Sequence, residues 1–412
     1  MLKRIEVRYL RSGMFIQEFC GSWMEHPFWR SKFLLKSDQD MQRILASSIR
    51  ELWIDTAKGL DVEDEAQAVT EEQAELEIEQ ALTEAVAPVT TDIVRTGLQE
   101  EVEQALQVCQ RARQAVKVMF QDVRMGKAVD AEQMQPIVEQ IAASVMRNPG
   151  ALISLARLKN QNEYTYMHSV AVCALMTALA RQLQMDERLV YEAGLAGLLH
   201  DLGKAMIPNA ILDKPGKLTE EEFEIIKSHP AEGHQLLLDG RGVGAIPLDV
   251  CLHHHEKTDG SGYPHQLVGE QITLLARMGA VCDVYDAITS DRPYKRGWNP
   301  AEALRKMAEW SKGHFDERVF QIFVKTMGIY PTGSLVRLHT QRLAIVTEQT
   351  EQQLLKPKVK VFYSIRARQM LTHQLLDLSQ AGCEDKIIGR ENPDEWGFGR
   401  LEHLWAGRDI PD

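Results

Sequence analysis

His200 and Asp201 stand side by side in the run H-D-L-G-K (200–204), and a second dense group, H-H-E-K-T-D-G-S-G-Y-P (254–264), follows further along the chain. An adjacent His-Asp pair offers a neutral imidazole and a carboxylate that can bridge two cations. His168, His229, the pair His254-His255 and Asp283 extend the inventory. Together these side chains suffice for two hexacoordinate cations with positions left for water and substrate, which makes metal-assisted hydrolysis the leading chemistry. A single histidine in an apolar helix, as His168 would be alone, is more often structural. The joint presence of so many partners reverses that expectation.

The elements that must hold these residues read as helices. From about 151 to 330 the pattern is almost wholly helical. Residues 170–183 are apolar around much of their circumference, as a central helix should be, and 192–200 form another buried helix ending at the His-Asp pair. Thr219-x-x-Glu222 is a capping-box signature that opens a helix toward His229. Residues 259–264 contain two glycines and a proline and read as a tight loop, with Gly260 and Gly262 allowing sharp turns beside the metal ligands. Residues 272–290 form a further apolar helix carrying Asp283 and Asp286.

The chain has 412 residues, 44% hydrophobic and 26% charged, which predicts a globular protein of two or three domains. No apolar run approaches the roughly 20 residues needed to span a bilayer, and no apolar signal core follows the basic start Met1-Leu2-Lys3-Arg4, so a cytoplasmic location is expected. The six cysteines are scattered with no C-x-x-C and read as reduced thiols. The net charge of −12 argues against DNA or RNA as partners. It leaves room for a small anionic substrate, because a metal centre carries its own positive charge. Eleven acids and no Lys or Arg fall in residues 61–94.

Residues 1–60 read as a small α/β module, with strand-like stretches around Ile5 and Met14, a helix over 38–48 and a strand over 51–55. Trp23, Phe28, Trp29 and Phe33 are expected to supply its core. Residues 61–97 read as an acidic, solvated linker with partial helix in it, and 98–150 as connecting helices. There Leu98, Val102, Ala105, Cys109, Ala112, Val116 and Met119 form a heptad stripe. This stripe either packs on its own domain or forms the seam of a homodimer. A second helix is expected over 131–146, stopped by Asn148-Pro149-Gly150. Past residue 332 the pattern turns β-rich at 335–338, 343–346 and 359–362, predicting a small β appendage and a polar tail over 333–412.

With His168, H-D-x-G-K, His229, H-H-E-x-x-D-G-x-G-Y-P, D-x-x-D-A and D-R-P-Y-K in this order, the chain resembles the HD-GYP family, metal-dependent phosphodiesterases that hydrolyse bacterial cyclic di-GMP. The module at the N-terminus, with G-S-W-x-x-H-P-F-W and W-I-D-T, resembles the uncharacterised domain that often precedes HD-GYP domains. The resemblance implies a mainly α fold: an all-helical HD-type phosphohydrolase domain over 151–332, with the small α/β module before it and the short β appendage after it. It implies cyclic di-GMP as substrate, pGpG and/or GMP as product, and signalling proteins as partners at the G-Y-P loop.

In the same resemblance His168, His200 and Asp283 look like ligands of one metal, and His229, His254 and His255 like ligands of the other. Asp201 would bridge them. Phosphodiesters resist hydrolysis because the phosphate repels hydroxide, and two metals about 3.5–4 Å apart can hold a hydroxide while neutralising the phosphate oxygens. Mixed imidazole and carboxylate shells suit Fe or Mn, with Co or Ni as further options. Lys204, Arg292 and Lys295 would bind phosphate, and Lys204 beside Asp201 would stabilise transition-state charge. Gly262 and Tyr263 would border the substrate. His253 falls outside the pattern, and His234 reads as structural. Family members with a third metal carry a Glu four residues before the first His. Here that position is Tyr164, and Glu163 lies about 100° away on a helix, so two metals are expected. Two other readings compete with turnover: a nucleotide sensor that binds without hydrolysis, and an HD hydrolase of another nucleotide.

Overall fold

The computed structural model describes all residues except 22–31, 48, 85–95, 160–163, 213, 215, 217, 292–296, 351–352 and 411–412. Among the described residues no helix is long and apolar enough to cross a membrane. The chain divides into two compact units. The first is Met1–Glu84 with Arg305–His314, and the second is Ala85–Leu304 with Phe315–Asp412.

In the first unit, strands β1 (Leu2–Glu6), β2 (Phe15–Phe19), β3 (Phe33–Leu34), β4 (Glu51–Asp55) and β5 (Ala68–Thr70) form one antiparallel sheet in the order β3-β2-β4-β1-β5. Helix α1 (Asp38–Leu45) starts where the Ser37 hydroxyl accepts a hydrogen bond from the Asp40 amide, an N-cap that frees the backbone from an unpaired donor. Ile5, Ile16, Phe33, Leu52 and Ile54 meet Ile44 of α1 in the core. Phe33 is therefore a core residue as expected, whereas Trp23, Phe28 and Trp29 lie outside the described residues.

The stretch 61–84 is not a solvated linker. It adds β5 to the edge of β1 and continues into α2 (Glu71–Glu84). Its acids do not stand idle. Lys3 pairs with Asp61 at 2.7 Å and Arg4 with Glu77 at 2.8 Å. Ala74, Ile78 and Leu82 are buried at helical spacing on α2, a stripe that the acidic composition masks when the segment is read as a whole. The remainder of the expected linker, 85–95, lies outside the described residues.

The second unit begins with α3 (Leu98–Arg124), α4 (Gln135–Arg147) and α5 (Pro149–Arg157). All seven residues of the heptad stripe are buried within the chain, with Val102, Ala105, Ala112 and Val116 at 0% exposure. They face α4, α5 and the next helix, α6 (Tyr164–Gln182). A stripe already covered by its own domain cannot also be the seam of a homodimer, so the intramolecular alternative holds. Asn148 ends α4 and at once caps α5 by accepting from Ala151 N, with Pro149 at the first helical position.

The helices that follow are α7 (Glu187–Leu199), α8 (Asn209–Leu212), α9 (Glu220–Lys227), α10 (His229–Leu238), α11 (Ala245–His253) and α12 (Leu274–Thr289). Then come α13 (Pro300–His314), whose residues from Arg305 on belong to the first unit, and α14 (Glu317–Met327). The capping box at Thr219 and Glu222 is present. The C-terminal part is larger than expected. Besides β6 (Leu335–Leu338), β7 (Arg342–Glu348) and β8 (Lys358–Ser364), the expected polar tail supplies β9 (Gln369–Asp377), β10 (Ile387–Arg390) and α15 (Glu402–Ala406). The sheet order is β10-β6-β7-β8-β9. Most side chains of β9, Met370 and Leu375 among them, are exposed at an edge, so the hydrophobic alternation that marks a half-buried strand is missing.

Candidate metal centre

Five pieces of the second unit converge on one point. His168 projects from the first half of α6. His200 caps the end of α7, and Asp201 opens the short turn behind it. His229 is the first residue of α10, His254 caps α11 with His255 next, and Asp283 lies in the middle of α12. His168, His200, Asp201, His229 and His254 are at most 1% exposed. Two triads stand out, His168-His200-Asp283 and His229-His254-His255, each with ligand atoms within 4.8 Å of one another.

Asp201 lies between the triads. Its Oδ2 is 3.3 Å from His168 Nε2 and 3.4 Å from His200 Nε2, while its Oδ1 is 3.2 Å from His229 Nε2 and 3.7 Å from His254 Nε2. The two oxygens thus face opposite halves of the cluster. Asp283 Oδ1 is 2.9 Å from His168 Nε2, and its Oδ2 is 3.8 Å from His255 Nδ1.

The backbone sets which nitrogen each imidazole offers. His200 Nδ1 donates to Gly197 O at 2.8 Å, His229 Nδ1 to Ile226 O at 2.6 Å and His254 Nδ1 to Cys251 O at 3.0 Å. With the proton fixed on Nδ1, the Nε2 lone pair is left for a cation. His168 follows the same rule with a carboxylate, its Nδ1 lying 2.6 Å from Asp286 Oδ2. Asp286 in turn receives the ammonium of Lys159, which also donates to Ser290 Oγ at 2.9 Å. His255 is the exception: it turns Nδ1 inward, and its ring stacks on Tyr263 with centroids 4.7 Å apart.

The electrostatics are those of a site built around positive charge. Burial pulls the His254 imidazole down to about 3, helped by His200 and His229, and pulls His255 well below its ordinary value. Burial also disfavours charge on His168, but Asp201, Asp283 and Asp286 outweigh it and push His168 up to about 10. Burial would raise Asp201, yet Lys204 and His200 hold it well below the usual carboxylate range. Without cations, the carboxylates keep a proton on His168, a proton that a bound cation would displace.

The residues fit bound metal. His200 Nε2 and Asp201 Oδ1 are buried with no hydrogen-bond partner, and an unsatisfied buried polar atom costs about 1–3 kcal/mol. A cation beside each of these atoms would remove that cost. The donors are imidazole nitrogens and carboxylate oxygens, a set suited to first-row transition metals.

The other expected residues are placed as follows. Lys204 Nζ is 2.5 Å from Asp201 Oδ2 and reaches the cluster. Arg292 and Lys295 lie outside the described residues, as does Glu163. Tyr164 opens α6 and stacks on His168 at 5.7 Å between centroids. Gly262 is buried against the backbone of His255–Lys257, where a Cβ would come within 2.4 Å of Lys257 N. It is a spacer that seats Tyr263 on His255, and its burial leaves little surface for the substrate contact expected of it. His253 turns to Asp249 at 2.8 Å and His265 at 3.0 Å, away from the ligands.

Three contributors were given no role by sequence reading. Asp286 had a signal, its i,i+3 spacing from Asp283 on one helix face. Glu256, 2% exposed, accepts from His265 N at 2.6 Å and Leu267 N at 3.0 Å and so clamps the loop that carries Tyr263. Its only signal was a place next to the His pair. Lys159 had none, since a lone lysine before a helix reads as solvated charge.

Comparison with known proteins agrees with this geometry. Residues 140–319 match the HD domain, and residues 2–134 match DUF3391, a domain of unknown function. The chain is 55% identical to the cyclic di-GMP phosphodiesterase PA4108 of Pseudomonas aeruginosa, over 99% of this chain and 96% of that protein. It is 42% identical to the cyclic di-GMP phosphodiesterase response regulator RpfG of Xanthomonas campestris, over 40% of this chain and 45% of that one. A 3'3'-cGAMP-specific phosphodiesterase of Vibrio cholerae is 35% identical over 44% of this chain and 42% of its own length. With a relative this similar along its whole length and the family's histidines and aspartates gathered in one cluster, the chain belongs to the HD-GYP family, its HD domain preceded by a DUF3391 domain.

Proposed function

We propose that this chain hydrolyses the phosphodiester bonds of cyclic di-GMP, releasing pGpG and/or GMP, with two divalent transition metals, Fe or Mn foremost, in the His/Asp cluster. The observation that carries the reading is the pair of triads on either side of Asp201, buried but for the partly exposed His255, with two orphaned ligand atoms. Bound ions would supply an activated water and neutralise the phosphate. His168, His200 and Asp283 hold one, His229, His254 and His255 the other, and Asp201 joins both. Lys204, next to Asp201, adds charge that strengthens as the attacked phosphate becomes more negative. Tyr263, stacked on His255, borders the substrate. Arg292 and Lys295 are assigned to its phosphates from their place in the D-R-P-Y-K motif.

Identity over the whole chain to a cyclic di-GMP enzyme favours that dinucleotide over 3'3'-cGAMP, whose named enzyme matches over less than half of the chain. The test is turnover of both dinucleotides by anaerobically purified protein of measured metal content. Cyclic di-GMP should be cleaved with the higher kcat/KM. Tight binding without cleavage at full metal loading would instead make the protein a sensor.

A further inference from the structure

Asp286 also lines a partly open cavity of about 250 Å³ in the second unit. Helices α5, α12 and α14 and the C-terminal sheet line it, and none of the seven expected metal ligands does. At liquid density a water occupies about 30 Å³, so the space holds several waters or one compact solute.

The lining mixes apolar side chains with polar and charged ones, and its charges are unequally served. Asp286 already receives Lys159, Glu348 receives Lys358 at 2.7 Å, and Asp377 accepts from Ser379 Oγ at 2.6 Å. Arg157 is different. No ion pair joins its guanidinium to any carboxylate among the described residues. The guanidinium rests instead against Gly333, where a Cβ would lie 2.8 Å from its terminal nitrogen. Burial pulls its pKa down, with the Tyr285 phenol the first neighbour to oppose the shift. The Tyr285 phenol hydrogen-bonds it, and Glu402, Asp286 and Asp291 act on it from longer range, so it has neighbours but no directly paired carboxylate among the described residues. Ser154, one turn earlier on the same face of α5 and buried, makes no hydrogen bond through its hydroxyl among the described residues. The two side chains form a fork and a donor aimed into one space.

We infer that this cavity is a second binding site, for a compact oxyanion of the phosphate class, held by the Arg157 fork and the Ser154 hydroxyl. A planar guanidinium binds two oxygens of a phosphate at once. The site is separate from the metal centre, so the inference stands whatever dinucleotide the enzyme cleaves.

The test is calorimetric titration of inorganic phosphate into the metal-loaded full-length chain, into Arg157→Gln and into His200→Ala. A binding event that survives His200→Ala and weakens roughly tenfold to a hundredfold in Arg157→Gln is the expected result. The metal content of Arg157→Gln should stay at the wild-type level. If that variant does not fold, Arg157→Lys keeps the charge but loses the fork, and it should bind severalfold more weakly. Binding that vanishes in His200→Ala, is indifferent to both Arg157 changes, or is absent at millimolar phosphate overturns the inference.

Discussion

Replacing Lys159 with Met should loosen the metal centre without touching a ligand. The Lys159 side chain is 0% exposed, and its ammonium serves Asp286 Oδ2, the same oxygen that faces His168 Nδ1 at 2.6 Å. Met keeps most of the volume and removes the charge, which leaves Asp286 buried with His168 and Ser290 as its hydrogen-bond partners among the described residues. Breaking a buried ion pair from one side costs about 3–5 kcal/mol. Losing the group that orients a ligand typically lowers metal affinity about 10- to 100-fold. The assay is competition for the metal with a chelator of known affinity, read by metal analysis, alongside thermal unfolding of the metal-free chain. The double change Lys159→Met with Asp286→Asn removes both charges and should recover part of the lost stability. If Lys159→Met retained metal within twofold of wild type and melted at the same temperature, Lys159 would have no part in holding His168.

Other outcomes follow from the same geometry. His200→Ala or Asp201→Ala should abolish turnover and lower bound metal, with Asp201→Ala affecting both ions because its two oxygens face different triads. The wild type should carry two ions per chain, since the Tyr164 phenol is mostly protonated at neutral pH and a poor ligand; three full anomalous peaks in a crystal would refute this. Val102→Asp should cost several kcal/mol of stability, roughly the scale of an unpaired buried charge, and leave the sedimentation coefficient of the folded fraction unchanged. The first unit should weaken in acid. Burial raises Glu309, but Lys306, Trp53 and Cys20 hold it below its ordinary value of 4.5, so its stabilisation is complete above pH 4.5 and fades as pH falls through the lower folded value. Glu309→Gln should flatten that part of a melting-temperature profile.

The sequence was most informative where chemistry demands particular residues at particular places. His168, His200, Asp201, His229, His254, His255 and Asp283 could be singled out because so few other side chains bind metals, and the central helices that bear them are apolar around much of their circumference. It was least informative where a partner comes from far along the chain. Lys159 looks like any surface lysine until Asp286 is folded over it. The acidic run after residue 60 looked solvated because its counter-charges, Lys3 and Arg4, sit on β1. Strand β9 escaped because an exposed edge needs no alternation. The heptad stripe on α3 was legible as a buried face but not as to what buries it, since one's own domain and a second copy ask for the same residues.

The decapeptide Arg305–His314 has a consequence for how the protein can be taken apart. It is counted with the first unit, where Glu309 accepts from the Trp53 indole and from Cys20 Sγ at 3.4 Å, and Lys306 pairs with Glu18 at 3.0 Å. The N-terminal unit is therefore not a bead on a string. It is closed by a stretch of chain encoded inside the HD-domain match, which runs to residue 319. A gene cut after residue 84 would yield one fragment missing its last helix and another carrying a helix with charged residues that have lost their sheet. Exchange of this domain between proteins, whether by recombination or in the laboratory, has to carry two separate segments and keep them in register.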